Sequence, residues 1–352
     1  MAGLVARRMH RQHLWGRPFA SVDDAIRAFG AMQAQEFRPA MWGIGARVAG
    51  AREADVLDAF AAGTLLRTHI LRPTWHFVHA ADIRWMLLAS APRVHAVNAY
   101  YYRSTGVEDR VAARARTIFE TILGDGQQLT RKELAVSLAE AGLPDSGVPL
   151  AYVVIRAELD GVLVSGAMRG KQPTYALLDL RAPGPAATDR DEALAELARR
   201  FFGTRGPATV KDFATWASLT LTEARRCIEM LGPEVQTDEI DGRTMHVVGA
   251  EPSARTRLPI VDLLQDYDEY VVGYSDSRDA MFRPDGPQSA LVARRRPLVQ
   301  DGRLIGFWRH TETDGAVTVE ANTADAPDRP ALDAAVQRFG EFLARETRLI
   351  LS

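Results

Sequence analysis

Two glutamines separated by one small residue, Gln33-Ala34-Gln35, are the pair in this chain whose type and spacing could do chemistry. A side-chain amide is neither acid nor base at neutral pH, but its carbonyl can hold a water and its NH2 can donate. In an extended segment residues i and i+2 point the same way, so both amides could converge on one ligand or one water. The same spacing also suits glutamines that only satisfy backbone groups at a helix end. The surrounding elements place the pair at such an end. Ser21-Val22-Asp23-Asp24 has the form of a capping box, opening a helix over 21–32 with Ile26, Phe29 and Met32 on its apolar face. Pro39 biases Arg38 away from helical geometry, so the pair is expected at or just beyond the helix end. Glu36 is the nearby carboxylate. In extended backbone its parity turns it away from Gln35, and a salt bridge suits it better than a direct role.

The whole chain limits what such a site can belong to. With 352 residues, 47% of them hydrophobic, it can bury two or more packed units. No run of roughly 18 apolar residues exists to span a membrane. The segment 1–8 lacks the apolar core of a signal peptide, and a cytoplasmic location is expected. The single cysteine, Cys227, permits no internal disulfide and sits in a helical pattern, which reads as a buried, neutral thiol. Net charge is −2, yet residues 1–50 carry seven arginines against three acids. Residues 290–310 carry Arg294, Arg295, Arg296, Arg303 and Arg309 against Asp301 alone. Local basic faces can bind phosphates while the whole stays near neutral; an ordinary arginine-rich surface gives the same count.

Taken in order, an arginine-rich helix over 3–15 precedes the capped one. A short segment 41–48 and a helix over 53–62 ending at Gly63 follow. The β-branched and aromatic run 65–78 reads as two strands joined near Pro73, with a helix over 81–89 after it. A second capping box, Thr130-Arg131-Lys132-Glu133, opens a helix. A turn at 142–147, a helix over 149–160 and strands at 162–166 and 175–178 follow, flanking a basic tip that carries Arg169 and Lys171. Helix, turn, helix and hairpin is the winged-helix order. It recurs beyond the Pro/Gly/Ala-rich break at 181–187. There a helix spans 191–202, Thr209-Val210-Lys211-Asp212 opens another, a third covers 223–231, and a hairpin turns at Asp241-Gly242. From 258 onward short strands at 270–274, 290–292, 297–299, 304–308 and 316–320 suggest a small β-barrel or curled sheet, closed by a helix over 331–346. The expected class is therefore α+β. It comprises three tandem winged-helix units (1–110 with the Gln-x-Gln motif, 111–182 and 188–252) and a β-barrel with its C-terminal helix (256–352). Three unrelated α+β pieces remain the alternative.

Five motifs in order carry a resemblance. They are Met32-Gln33-Ala34-Gln35, the run 71–78 from Leu71 to Val78, the run 206–213 around Thr209, Tyr267-Asp268-Glu269-Tyr270 with the four residues after it, and Gly302-Arg303-Leu304-Ile305-Gly306. Together they resemble the AlkZ-like winged-helix family of bacterial DNA glycosylases over essentially the whole chain. The resemblance implies three winged-helix units and a barrel around a DNA-sized cleft. It implies removal of cationic, alkylated purines and, in some members, unhooking of interstrand crosslinks. The family's catalytic signature, glutamine, one residue, then glutamine or aspartate, falls on Gln33 and Gln35, with alanine smaller than the usual middle residue.

The chemistry also stands on its own terms. Glycosidic bonds break through an oxocarbenium-like transition state, and most hydrolases need an acid for the leaving group. Glutamines cannot supply one, but an N7- or N3-alkylated purine is already cationic. Two amides therefore imply water positioning and electrostatic stabilisation, with unmodified purines left untouched. Arg38, Trp42, His69, Arg72, Trp75 and His76 are candidates for the cleft wall facing the lesion or its phosphate; for the histidines, a hydrogen-bonded place inside a sheet is the other reading. Arg7, Arg11, Arg169, Lys171, Arg294, Arg295 and Arg296 are the phosphate-contact candidates. No cofactor is expected. No His/Cys/Asp cluster has metal-ligand spacing, and Asp266, Asp268 and Glu269 read as structural or capping acids. The expected partner is duplex DNA bearing alkylated bases, bound by a monomer. The rival readings are a winged-helix DNA-binding protein or a ligand-responsive regulator without chemistry, which would have no need of two amides outside a recognition helix.

Overall fold

A computed structural model describes residues 3–251, 256–283 and 295–352. The chain forms two compact units, Met1–Leu57 with Ala198–Ser352, and Asp58–Leu197. Helix α1 (Leu4–Arg11) is followed by α2 (Val22–Phe29), whose first turn is capped as expected: Ser21 Oγ accepts the Asp24 N–H at 3.1 Å. The helix ends three residues earlier than its apolar pattern suggests. Gly30, at φ 71°, turns the chain out, so Met32 and Gln33 lie in the short strand β1 (Ala31–Gln33). The next element overturns the reading of Pro39. Helix α3 (Phe37–Gly45) carries Arg38 and Pro39 in its first turn, where a missing N–H costs no helical hydrogen bond. Helix α4 (Glu53–Ala62) lies where expected.

In the unit 58–197, strands β2 (Leu65–Ile70) and β3 (Thr74–His79) pair antiparallel, with Ile70 opposite Thr74 at the turn. Helix α5 (Ile83–Thr105) runs well past the expected 81–89, straight through Pro92, and α6 (Asp109–Leu123) has no counterpart in the sequence reading. Strand β4 (Leu129–Thr130) leads into α7 (Arg131–Glu140), where Thr130 and Glu133 form the full capping box. Helix α8 (Gly147–Leu159), strands β5 (Leu163–Ser165) and β6 (Thr174–Leu177), and the short α9 (Leu178–Arg181) complete it, with β6 central in the sheet β4-β6-β5. Phe119, Leu123, Leu134, Leu138, Val153 and Leu163 fill one core beneath that sheet.

Helix α10 (Arg190–Arg205) leads back into the discontinuous unit. There α11 (Val210–Ala217) and α12 (Leu221–Leu231) each begin with a capping box, at Thr209/Asp212 and Thr220/Glu223. The hairpin β7 (Val235–Ile240) and β8 (Arg243–Val248) turns at Asp241-Gly242 as the sequence dictates. Strand β9 (Val261–Leu263), helix α13 (Glu269–Val272), strands β10 (Arg296–Gln300), β11 (Arg303–Thr313) and β12 (Ala316–Thr323), helix α14 (Arg329–Leu343) and strand β13 (Glu346–Leu351) follow. The expected strand at 270–274 is instead the start of a helix, because Asp268 accepts the Tyr270 N–H at 2.9 Å and caps α13. The expected strand at 290–292 lies outside the described residues. The C-terminal sheet has the order β13-β12-β11-β10-β9, a half-barrel, with β13 returning parallel to β12 after α14. Helix α14 packs on α3 so closely that a Cβ on Gly45 would lie 2.4 Å from the Phe342 ring. Among the described residues no helix is long and apolar enough to cross a membrane.

Candidate active site

Gln33 closes β1 and is 5% exposed, Ala34 after it is fully buried, and Gln35 is half-buried. A strand this short contributes little order of its own; it is the outer strand of the sheet β1-β3-β2, and buried charge orders its other edge. The Gln33 N–H donates to Glu269 Oε1 at 2.7 Å. The other oxygen, Oε2, accepts from Arg205 Nε at 2.9 Å, Arg205 Nη2 at 2.8 Å and Trp216 Nε1 at 3.0 Å. Arg205 in turn donates from Nη2 to the Ala31 carbonyl at 2.7 Å and from Nη1 to the Phe29 carbonyl at 3.2 Å. Its guanidinium lies over the rings of Trp216 and Phe29, at 4.4 and 4.9 Å from their centroids. Burial pushes Arg205 below the ordinary guanidinium value, and Glu269 opposes that shift. Asp268 makes the parallel arrangement next door: both its oxygens bind the buried Arg47, at 2.7 and 3.0 Å. Both acids after Tyr267 are thus neutralised by buried arginines, in keeping with the structural role read for them.

Within this network the Gln33 Oε1 atom is buried and has no hydrogen-bond partner among the described residues. A buried acceptor left unmatched costs about 1–3 kcal/mol. Glu36 is exposed and stands at the N-cap of α3 without a side-chain capping bond.

The other candidates separate by what they touch. Trp42 is 6% exposed, donates to the Leu263 carbonyl at 2.7 Å and packs edge-on against Phe339; its remaining surface lines a cavity together with Arg38. Arg38 is exposed and braced by Glu53 at 2.9 Å and Glu312 at 3.2 Å. On the β2–β3 hairpin, His69 is buried with its Nδ1 against Glu158, and its ring meets Trp75 at 4.5 Å. Trp75 is half-buried beneath the Arg67 guanidinium at 4.3 Å. His76 is fully buried, bonded through Nδ1 to the Thr74 carbonyl at 2.9 Å, with Arg72 Nη2 3.3 Å from its Nε2. Both histidines therefore have the sheet-internal setting; Arg72 and Trp75 retain surface.

Arg7 and Arg11 of α1 face inward. Arg7 is 7% exposed and binds Glu251 at 2.9 Å and Asp238 at 2.8 Å. Arg11 donates to four carbonyls, those of Gly203, Val248, Gly249 and Ala250. These two staple the unit from inside and present no phosphate-binding surface. Arg169 projects from the β5–β6 tip, half-exposed and held by Glu133 at 2.7 Å, and Lys171 beside it is exposed. Arg295 is exposed and stacked on Phe307 at 3.7 Å, whereas Arg296 is half-buried between Asp266 and His310. Arg294 lies outside the described residues. Among the described residues no group of three or more His, Cys, Asp or Glu side chains could hold a metal ion. Arg205 escaped the sequence reading altogether; the acid it serves was visible as a structural or capping acid and as part of the 267–274 motif.

The chain shares the fold of the DNA glycosylase AlkZ of Streptomyces sahachiroi, with a TM-score of 0.79, 23% identity, and coverage of 99% of this chain and 100% of that one. A curated relative, the interstrand DNA cross-link repair glycosylase of the same organism, is 26% identical across 97% of this chain and 95% of its own length. The sequence model of the family described as DNA glycosylase AlkZ-like matches residues 26–342. The chain belongs to the AlkZ-like family and is a DNA glycosylase.

Proposed function

We propose that this glycosylase hydrolyses the N-glycosidic bond of cationic N7- or N3-alkylated purines in duplex DNA, interstrand crosslinks included, with Gln33 and Gln35 positioning the attacking water. The observation that carries this is the buried, unmatched Gln33 Oε1 at the end of a strand anchored through its own backbone. A carbonyl oxygen left unmatched can accept a hydrogen bond from an ordered water, and its dipole can stabilise developing positive charge. Neither amide can protonate a leaving group, which restricts the site to bases that arrive charged. The crosslink substrate is supported by the name of the Streptomyces relative.

The organisation that suits this reaction is three winged-helix units, 1–110, 111–182 and 188–252, with the half-barrel over 256–352, acting on DNA as a monomer. The helix–helix–hairpin order at α7–β6 and at α11–β8 supports that reading. Arg169, Lys171 and Arg295 are the projecting cations suited to phosphate contact, with Arg38, Arg72 and Trp75 suited to the lesion's surroundings. No cofactor enters the scheme, and a DNA substrate places the enzyme in the cytoplasm, at the nucleoid.

The test is release of 7-methylguanine from a methylated duplex by wild type, Gln33→Ala and Gln35→Ala at moderate salt, beside a crosslinked duplex resolved on a denaturing gel. The expected outcome is release by wild type that falls on the order of 100-fold in either variant with duplex affinity kept. Equal release by all three proteins would remove the glutamines from the mechanism.

A further inference from the structure

Gln33 can aim its amide only if its backbone is fixed, and β1 is three residues long. In a strand the N–H of one residue and the carbonyl of the residue two before it point to the same edge. Along that edge the Gln33 N–H meets Glu269 and the Ala31 carbonyl meets Arg205. One step further back the Phe29 carbonyl also binds Arg205. The fully buried Arg205–Glu269 pair therefore does along this edge what a neighbouring strand would do. Trp216 Nε1 locks the second carboxylate oxygen, so the carboxylate cannot rotate away from Gln33. Because the Cα–Cβ bond follows the orientation of its peptide, the carboxylate that holds the Gln33 N–H also fixes the direction in which the Gln33 side chain leaves the strand.

We infer that Glu269 is a positioning residue of the glycosylase site, acting through Gln33 and never on the substrate, with Arg205 holding it in register. The inference rests on the reading that Gln33 serves the reaction. A general stabilising pair would be interchangeable with any packing of equal stability; a positioning pair is not, because the acceptor for Gln33 must survive.

Two double variants separate these roles, since both remove both charges and neither leaves a buried ion unpaired. Arg205→Met/Glu269→Gln keeps a carbonyl oxygen for the Gln33 N–H; Arg205→Met/Glu269→Leu has none. Each is measured for melting temperature, duplex affinity, single-turnover release of 7-methylguanine, and hydrogen exchange at the Gln33 amide. The expected result is a lower melting temperature for the leucine variant, which leaves the Gln33 N–H and Trp216 Nε1 unmatched, similar duplex affinity at a temperature where both are folded, and faster exchange at Gln33 in the leucine variant. Release should be slower in the leucine variant than in the glutamine one by on the order of 10- to 100-fold. Should the leucine variant fail to fold, Glu269→Asp replaces it. That change keeps the charge beside Arg205 but draws the carboxylate back by one methylene, and the same loss of protection and rate is expected. Equal release and equal exchange in the compared proteins overturn the inference. If wild type itself releases no base, the proposed reaction fails, and exchange alone decides: unchanged protection of Gln33 without its acceptor refutes the positioning role.

Discussion

At the scale of single residues, the segment 267–274 and the backbone before Gln33 are held by pairs of buried opposite charges. Asp268 and Arg47 are 1% and 0% exposed, and removing the charge of one leaves the other uncompensated. Asp268→Asn keeps an oxygen to cap α13 but strips the carboxylate from Arg47, and should cost about 3–5 kcal/mol in a urea titration. The same arginines explain why the count of basic residues misled. The count is the same whether a guanidinium faces water or a carbonyl, and in Arg7, Arg11, Arg47 and Arg205 it faces inward. Gln33 and Gln35 were visible as a pair by spacing and by resemblance. The anchor of Gln33 was not, because nothing local links position 33 to position 269.

At the scale of elements, what could be read was what is local. The capping boxes at Thr130 and Thr209 and the Asp241-Gly242 hairpin are satisfied by neighbours within a few residues, and each occurs where the pattern put it. Misreadings arose where one residue outweighed a run. Asp268 converts a Tyr-Val-Val-rich stretch from expected strand to helix, and Gly30 cuts α2 short of its apolar pattern. Strands β9 and β13 went unread because three and six residues at a sheet edge are defined by partners remote in sequence. The contact of α3 with α14 makes a prediction at this scale. Gly45→Ala places a methyl group against the buried Phe342 ring and should destabilise the protein by about 1–3 kcal/mol. Adding Phe342→Leu to make room should restore part of that loss, read by denaturant midpoints.

For the whole molecule the main environmental lever is pH. Burial lowers His10, His13, His246 and His310 below the ordinary imidazole value, and for His310 the Arg296 guanidinium adds to it. As pH falls below about 6.5 the unfolded chain takes up these protons before the folded one does. Their contribution to stability is thus complete above that pH and lost as pH drops through the depressed folded values. The buried Asp262 is raised by the same desolvation and works in the opposite sense. Melting temperature should therefore fall between pH 7 and pH 5, and His246→Gln should make that fall shallower; an unchanged slope would remove His246 from the account.

The hydrogen bond between Gln33 and Glu269 joins residues 236 positions apart. A ribosome adds ~5–20 residues per second, so about 12–47 s pass between the synthesis of the two. During that interval the contiguous unit 58–197 is complete, while the segment carrying both glutamines has emerged without its carboxylate. On the proposed reading, the nascent chain holds its two glutamines without the Glu269 acceptor until 269 of its 352 residues have been translated, and a message broken before codon 269 yields a product that lacks that acceptor altogether.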